Sequence, residues 1–252
     1  MKAICEREAE EHRLWEESST ESPASDSVDN IINKMGGARI FQEKLQTYSR
    51  CFEKARSILE LGGGQGWASC LVKRVYPQAS VTMSDLSPAA IASLHKWEHI
   101  WKVKLDGSVA CRAYEVPFPD SSFDLVFAYS AAHHFGRHRR TLSELNRILR
   151  PGGVALYFHE PGCRSFIYPA AHYRVNRKRP DVYEDVLRYK ELIELGKAVG
   201  LDVDVRFSPT LTNRGPAETI YYLALSKFPL LQHVLPTTVD VIIRKVGYSS
   251  RV

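Results

Sequence analysis

The run Ser57-Ile-Leu-Glu-Leu-Gly-Gly-Gly-Gln-Gly66 constrains this chain more than any other stretch. A short apolar segment ending at glycines reads as a parallel strand buried on both faces. Glycines admit positive φ and leave the backbone open to close approach. Trp67 to Val75 then reads as a helix, whose first N–H groups and positive dipole end suit an anionic ligand.

The spacing narrows the ligand. A dinucleotide fingerprint needs a third glycine where Trp67 stands, and a phosphate-binding loop needs a lysine followed by Ser or Thr where Trp67-Ala68 stand. A nicotinamide-dependent dehydrogenase is therefore disfavoured. What remains is Glu60, Gly62, Gly64 and Gly66, the pattern E-x-G-x-G-x-G. Asp85 closes the next strand about 20 residues on, where a carboxylate can accept both ribose hydroxyls of an adenosine.

At 252 residues, 44% apolar and 25% charged, the sequence suits one soluble globular unit with ample core. It contains no apolar run of the ~18–20 residues needed to span a membrane. The acidic start, with Glu6, Glu8, Glu10 and Glu11, does not read as a signal peptide. Five scattered cysteines without a paired motif suggest reduced thiols and a cytoplasmic location, and argue against a zinc site.

Strand and helix patterns alternate along the chain. Strands are expected at 57–61, 80–85, 108–113, 123–129, 154–159, 203–207 and 239–243. Helices are expected at 3–18, 38–55, 67–76, 89–103, 139–149, 184–199 and 219–231. Such alternation argues for an α/β fold, a Rossmann-like doubly wound sheet with helices on both faces. Residues 1–55 read as an N-terminal helical lid and 56–252 as the main domain. Residues 161–180 read as a loop over the sheet edge, and 208–236 as a helical insert capping the substrate site.

Two further segments carry a family resemblance. Arg112-Ala-Tyr-Glu-Val-Pro-Phe-Pro-Asp-Ser-Ser-Phe-Asp-Leu-Val126 resembles D-A-E-D-L-P-F-P-D-x-S-F-D-L-V, and Arg147-Ile-Leu-Arg-Pro-Gly-Gly153 resembles R-x-L-K-P-G-G. With the glycine run and Asp85, these resemble the class I S-adenosylmethionine-dependent methyltransferases over residues 57 to about 160. The resemblance implies a seven-stranded, mostly parallel sheet whose last strand is antiparallel. It implies S-adenosyl-L-methionine as cofactor, held by Glu60, Gly62, Gly63, Gly64, Gln65, Gly66, Asp85, Leu86, Tyr129 and Ser130. The acids that commonly precede the P-F-P segment are replaced by Arg112 and Tyr114, and arginine cannot accept a hydrogen bond from the adenine amine. Adenine then falls to Ala113, Tyr114 or Glu115.

A sulfonium methyl group needs an in-line nucleophile and little else. If the acceptor is a hydroxyl or a protonated amine, a base is required. His134 and His133, after the fourth strand, are candidates, as are His159 and Glu160 at the end of the fifth. The His-His pair reads equally as a structural element packed under the loop. Aromatic residues of the flanking segments, Phe166, Tyr168, Tyr173, Tyr221 and Tyr222 among them, suit a covered pocket for a small or medium-sized molecule. Basic runs at 137–140 and 174–179 would receive an anionic acceptor for O- or N-methylation, or form a solvated face. An RNA methyltransferase and a non-catalytic partner protein remain as alternatives. Nucleic acid is disfavoured as a partner, a homo-oligomer is open, and no cluster has spacing that calls for a metal.

Overall fold

The computed structural model describes residues 13, 17–18, 20–25, 27–178, 184–212 and 214–246. The expected helix at 3–18 lies almost wholly outside them. The chain begins with α1 (Val28–Thr47) and α2 (Ser49–Lys54), followed by β1 (Ser57–Leu61), α3 (Trp67–Val75), β2 (Ser80–Asp85) and α4 (Pro88–Trp101). It continues through β3 (Gly107–Ala110), β4 (Phe123–Tyr129), α5 (His138–Ile148), β5 (Leu149–Cys163) and α6 (Tyr168–Lys178). The remainder is β6 (Leu187–Arg188), α7 (Tyr189–Ala198), β7 (Leu201–Phe207), α8 (Pro216–Lys227), α9 (Pro229–Gln232) and β8 (Thr237–Lys245).

The strands form one sheet in the order β3-β2-β1-β4-β5-β8-β7, with β6 paired to the far end of β5. β1 to β5 run parallel, and the last strand is antiparallel to both β5 and β7, as the resemblance implied. Successive side chains of a strand face opposite sides of a sheet. Ile58 therefore packs with Phe41, Phe52, Trp67, Met83 and Trp97 on one face. Its neighbours Leu59 and Leu61 pack with Leu142, Leu145 and Ile148 on the other. This two-sided burial is why β1 reads as an unbroken apolar run.

Several boundaries differ from the sequence reading. α1 starts ten residues early because Ser27 caps it, its side chain accepting the Asn30 N–H at 3.2 Å. A break at Tyr48 then divides the expected 38–55 helix. Pro229 splits the insert helix, since the residue before a proline is driven from helical geometry; Phe228 has ψ 80°. The expected loop at 161–180 contains α6, whose basic surface masked its helical spacing. Phe41, Leu45 and Phe52 of α1 and α2 share the core with β1 and β4, which fixes these helices against one face of the sheet.

Candidate active site

The parallel strands β1, β4 and β5 end at a cavity of about 870 Å³, within the ~300–1,000 Å³ range of small-molecule sites. Its floor is the turn between β1 and α3. Gly62, Gly64 and Gly66 there have φ of 66°, 55° and 84°, the left-handed region that disfavours other residues. Gly66 also allows close packing: a Cβ on it would lie 2.5 Å from Leu94 Cδ1. A Cβ on Gly63 would lie 2.9 Å from Glu60 Oε2. The missing side chains thus make room for the protein's own atoms as well as for a ligand.

Glu60 is buried beneath the turn, with Oε2 accepting the Ser69 N–H at 3.0 Å. Burial pushes its carboxyl up to about 7, against the opposing hydrogen bonds from Ser69. Asp85 Oδ2 accepts the Gly64 N–H at 2.8 Å, and Leu86, Ala113 and Tyr114 continue the same wall. The Arg137 guanidinium covers the Tyr114 ring at 4.9 Å. Glu115 is exposed and does not line the cavity. Gln65 lines it, but its side chain reaches the N-terminal segment: Nε2 donates to Ser22 O at 2.9 Å and Asn30 Oδ1 at 3.2 Å, and Oε1 accepts the Trp97 indole N–H at 2.9 Å.

A carboxylate at the end of β2, a glycine turn with no side chains in the way and an apolar surface at Leu86 and Ala113 are groups that suit an S-adenosyl amino acid.

Across the cavity, Tyr129 and Ser130 end β4. Ser130 has φ 49° and His159, at the irregularity of β5 between Tyr157 and Glu160, has φ 59°. Strained non-glycine residues of this kind gather at functional sites. The turn Ala132–His134 follows, capped by the fully buried Glu160. Glu160 Oε1 accepts the Ala131 and Ala132 N–H groups at 3.0 Å each, and Oε2 accepts the His133 N–H at 3.1 Å. His133 Nδ1 lies 2.7 Å from Glu160 Oε2 and Nε2 lies 3.0 Å from Glu184 Oε2. Burial alone would lower the His133 pKa, but these two carboxylates outweigh it and lift it to about 10.

That geometry alters the roles expected of His133 and Glu160. An imidazolium between two carboxylates has no lone pair with which to take a proton, and Glu160 has its oxygens committed to the turn. His134 sits outside the pair, its Nε2 3.8 Å from Glu184 Oε2. His159 is different. Its ring stacks on Tyr129 with centroids 5.8 Å apart, it lines the cavity, and Nδ1 has no hydrogen-bond partner among the described residues. Burial lowers its pKa to about 4, helped by Arg214 and Lys44, so the ring is neutral.

The roof of the cavity includes Arg174 of α6 and Arg214 and Tyr222 from the segment after β7. Arg214 Cζ lies 3.4 Å from the Tyr222 ring centroid. Its side chain is 10% exposed, and Nη2 has no hydrogen-bond partner among the described residues. Neither Glu184 nor Arg214 carried a sequence signal. Glu184 is 51 residues from His133, and Arg214 lies in a polar loop.

A methyltransferase-domain family model matches residues 59–157. A phthiotriol/phenolphthiotriol dimycocerosates methyltransferase of Mycobacterium tuberculosis is 38% identical over 104 residues, 40% of this chain and 37% of that protein. A malonyl-[acyl-carrier protein] O-methyltransferase of Legionella pneumophila is 31% identical over 129 residues, 50% of this chain and 42% of the relative. A fatty-acid O-methyltransferase of Mycolicibacterium smegmatis is 32% identical over 104 residues, 41% of this chain and 37% of the relative. The match thus spans about two fifths of the length of these curated relatives. Among solved structures, geranyl diphosphate C-methyltransferase of Streptomyces coelicolor superposes with a TM-score of 0.65 at 13% identity, over 83% of this chain and 80% of that one. The [4+2]-cyclase SpnF superposes with a TM-score of 0.60 at 17% identity, over 83% of this chain and 80% of that one, so the fold alone does not fix the chemistry. The matched segment, residues 59–157, is a methyltransferase domain, and the motifs that resemble the class I S-adenosylmethionine-dependent methyltransferases lie along it in the same order on this sheet.

Proposed function

We propose that the chain transfers the methyl group of S-adenosylmethionine to an oxygen or nitrogen of a small or medium-sized anionic molecule. Arg214 carries this reading. A buried guanidinium on the cavity wall, with an N–H donor that no described residue satisfies, suits a carboxylate or phosphate. Arg174 adds a second positive charge on the same wall. Two relatives are named for O-methylation of a fatty acid and of malonyl-acyl-carrier protein, which supports an oxygen on an acidic acceptor.

Asp85 would accept the ribose hydroxyls and Glu60 would meet the cofactor's amino group. Leu86, Ala113 and Tyr114 would flank adenine, with Gly62 to Gly66, Tyr129 and Ser130 around the amino-acid end. Bound there, the cofactor supplies an electrophilic methyl group on a sulfonium. The protein's task is then to orient the nucleophile and exclude water. His159 would accept the acceptor's proton, being neutral and on the cavity wall. Residues up to 55 would act as a lid and the 208–236 insert as the acceptor cap.

Calorimetry with S-adenosylhomocysteine tests the donor site, and labelled-methyl transfer to a panel of small carboxylates and phosphates tests the acceptor. Arg214→Met is expected to raise the acceptor KM by at least ~10-fold, as loss of a charge-assisted hydrogen bond would. Absence of S-adenosylhomocysteine binding overturns the reading.

A further inference from the structure

His133 and His134 come from the turn after β4, and Glu184 from the segment before β6. One ligand atom of each lies within 4.8 Å of the others, on the wall of the cavity. His133 Nε2 is 3.0 Å and His134 Nε2 is 3.8 Å from the same oxygen, Glu184 Oε2. We propose that these three side chains form a site for one divalent first-row transition-metal ion, opening onto the acceptor half of the cavity.

The donor set selects the ion. Two imidazoles and one carboxylate suit zinc, cobalt, iron or nickel, whereas magnesium and calcium take all-oxygen shells. The support behind the set points the same way. A metal-bound histidine characteristically donates its second ring N–H to a carboxylate, which fixes the ring and its tautomer. His133 does this through Nδ1, 2.7 Å from Glu160 Oε2. Glu160 is itself held by three backbone N–H groups, so His133 Nε2 is aimed at Glu184 with little freedom.

Charge balance favours a cation at this point. Glu160 and Glu184 bring two negative charges to a pocket where Glu160 is fully buried and the Glu184 side chain is 15% exposed. A divalent ion at His133 Nε2 would offset both. Three protein ligands leave coordination positions for small molecules. His159 and Arg174 line the same cavity, so an anionic acceptor held there could complete the shell.

The site is tested with neither cofactor nor acceptor, so its failure is distinct from failure of the methyl-transfer reading. The tag-free 252-residue chain is stripped with a chelator, dialysed and titrated with Co²⁺ alone, then with Zn²⁺ alone. One equivalent of Co²⁺ is expected to bind with ligand-field absorption, to be displaced by Zn²⁺ and to resist excess Mg²⁺. His134→Ala and Glu184→Gln should each weaken binding at least ~100-fold, more than the ~10–100-fold typical of a group behind the ligands. Glu160→Gln should fall within that smaller range. The His134 and Glu184 side chains are 29% and 15% exposed, so their replacement spares the core, and circular dichroism checks each fold. Failure to bind one equivalent, or binding unchanged in both folded variants, overturns the site and leaves the cluster as an imidazolium clamp.

Discussion

The Asp85 carboxylate holds the glycine turn from below: Oδ2 accepts the Gly64 N–H at 2.8 Å, while Oδ1 accepts the Ser87 N–H at 2.8 Å. One side chain therefore sets both the β1–α3 turn and the start of α4, whose cap is Ser87.

Asp85→Asn separates these tasks. Asparagine keeps one oxygen for the Gly64 N–H, sets its NH2 against the Ser87 N–H and loses the charge offered to ribose hydroxyls. A hydrogen bond to a charged group is worth ~1.5–3 kcal/mol, so affinity for S-adenosylhomocysteine should fall about 10–100-fold. Calorimetry reads this, while the ligand-free chain should lose about 1–3 kcal/mol of stability for the Ser87 N–H left without its acceptor. Unchanged affinity would remove Asp85 from the cofactor site.

Glu60 gives a pH signature. Its folded pKa, about 7, stands above the 4.5 of the unfolded chain because burial penalises the charged form. The stabilising difference is fully present below pH 4.5 and is lost as pH rises through 7. Glu60→Gln removes the charge and retains an acceptor for the Ser69 N–H. Its stability relative to the parent should rise between pH 5 and pH 8, with an upper bound on the order of 3 kcal/mol. Chemical denaturation at the two pH values measures it; a difference that falls or stays flat contradicts the burial argument. Cofactor affinity should drop in the same variant.

The glycine turn, Asp85 and the alternation of strands and helices were legible in the sequence because each is written in adjacent residues: an apolar run, a turn, a capped helix start. The acceptor side was not. His133, Glu160 and Glu184 meet only through the sheet, across 27 and 51 residues. Lys44 reads as an ordinary helix lysine, yet it is buried against Asp240 at 2.8 Å, 196 residues away. Glutamine in the glycine run reads as a ligand-facing residue, whereas the Gln65 amide is held by Ser22, Asn30 and Trp97. Long-range pairing of polar groups leaves no periodic trace.

That Gln65 amide predicts how the N-terminal segment is fastened. Gln65→Ala deletes the contacts to Ser22, Asn30 and Trp97 and leaves Asn30 Oδ1 and the Trp97 indole N–H unsatisfied, at ~1–3 kcal/mol each, while Ser22 O keeps the Asn30 amide. Limited proteolysis should cut within residues 20–27 at least ~10-fold faster than in the parent, while the sheet domain persists. Equal cleavage rates would show that α1 packing alone, through Phe41 and Leu45, holds the segment down.

His159 offers the sharpest division between a base and a wall. Burial, with Arg214 and Lys44, depresses its pKa from 6.5 to about 4. Its contribution to stability is present above pH 6.5 and is lost as pH falls toward 4, since the unfolded chain then takes up a proton that the folded ring refuses. The ring therefore stays neutral across the range in which a hydroxyl acceptor would need it. If His159 takes the proton, kcat of His159→Asn should fall ~100–10,000-fold, the usual contribution of a positioned base. The parent's acid limb should lie well below pH 6.5, and cofactor affinity by calorimetry should change by less than ~3-fold. A loss confined to the acceptor KM, with kcat intact, would make His159 a packing surface on Tyr129.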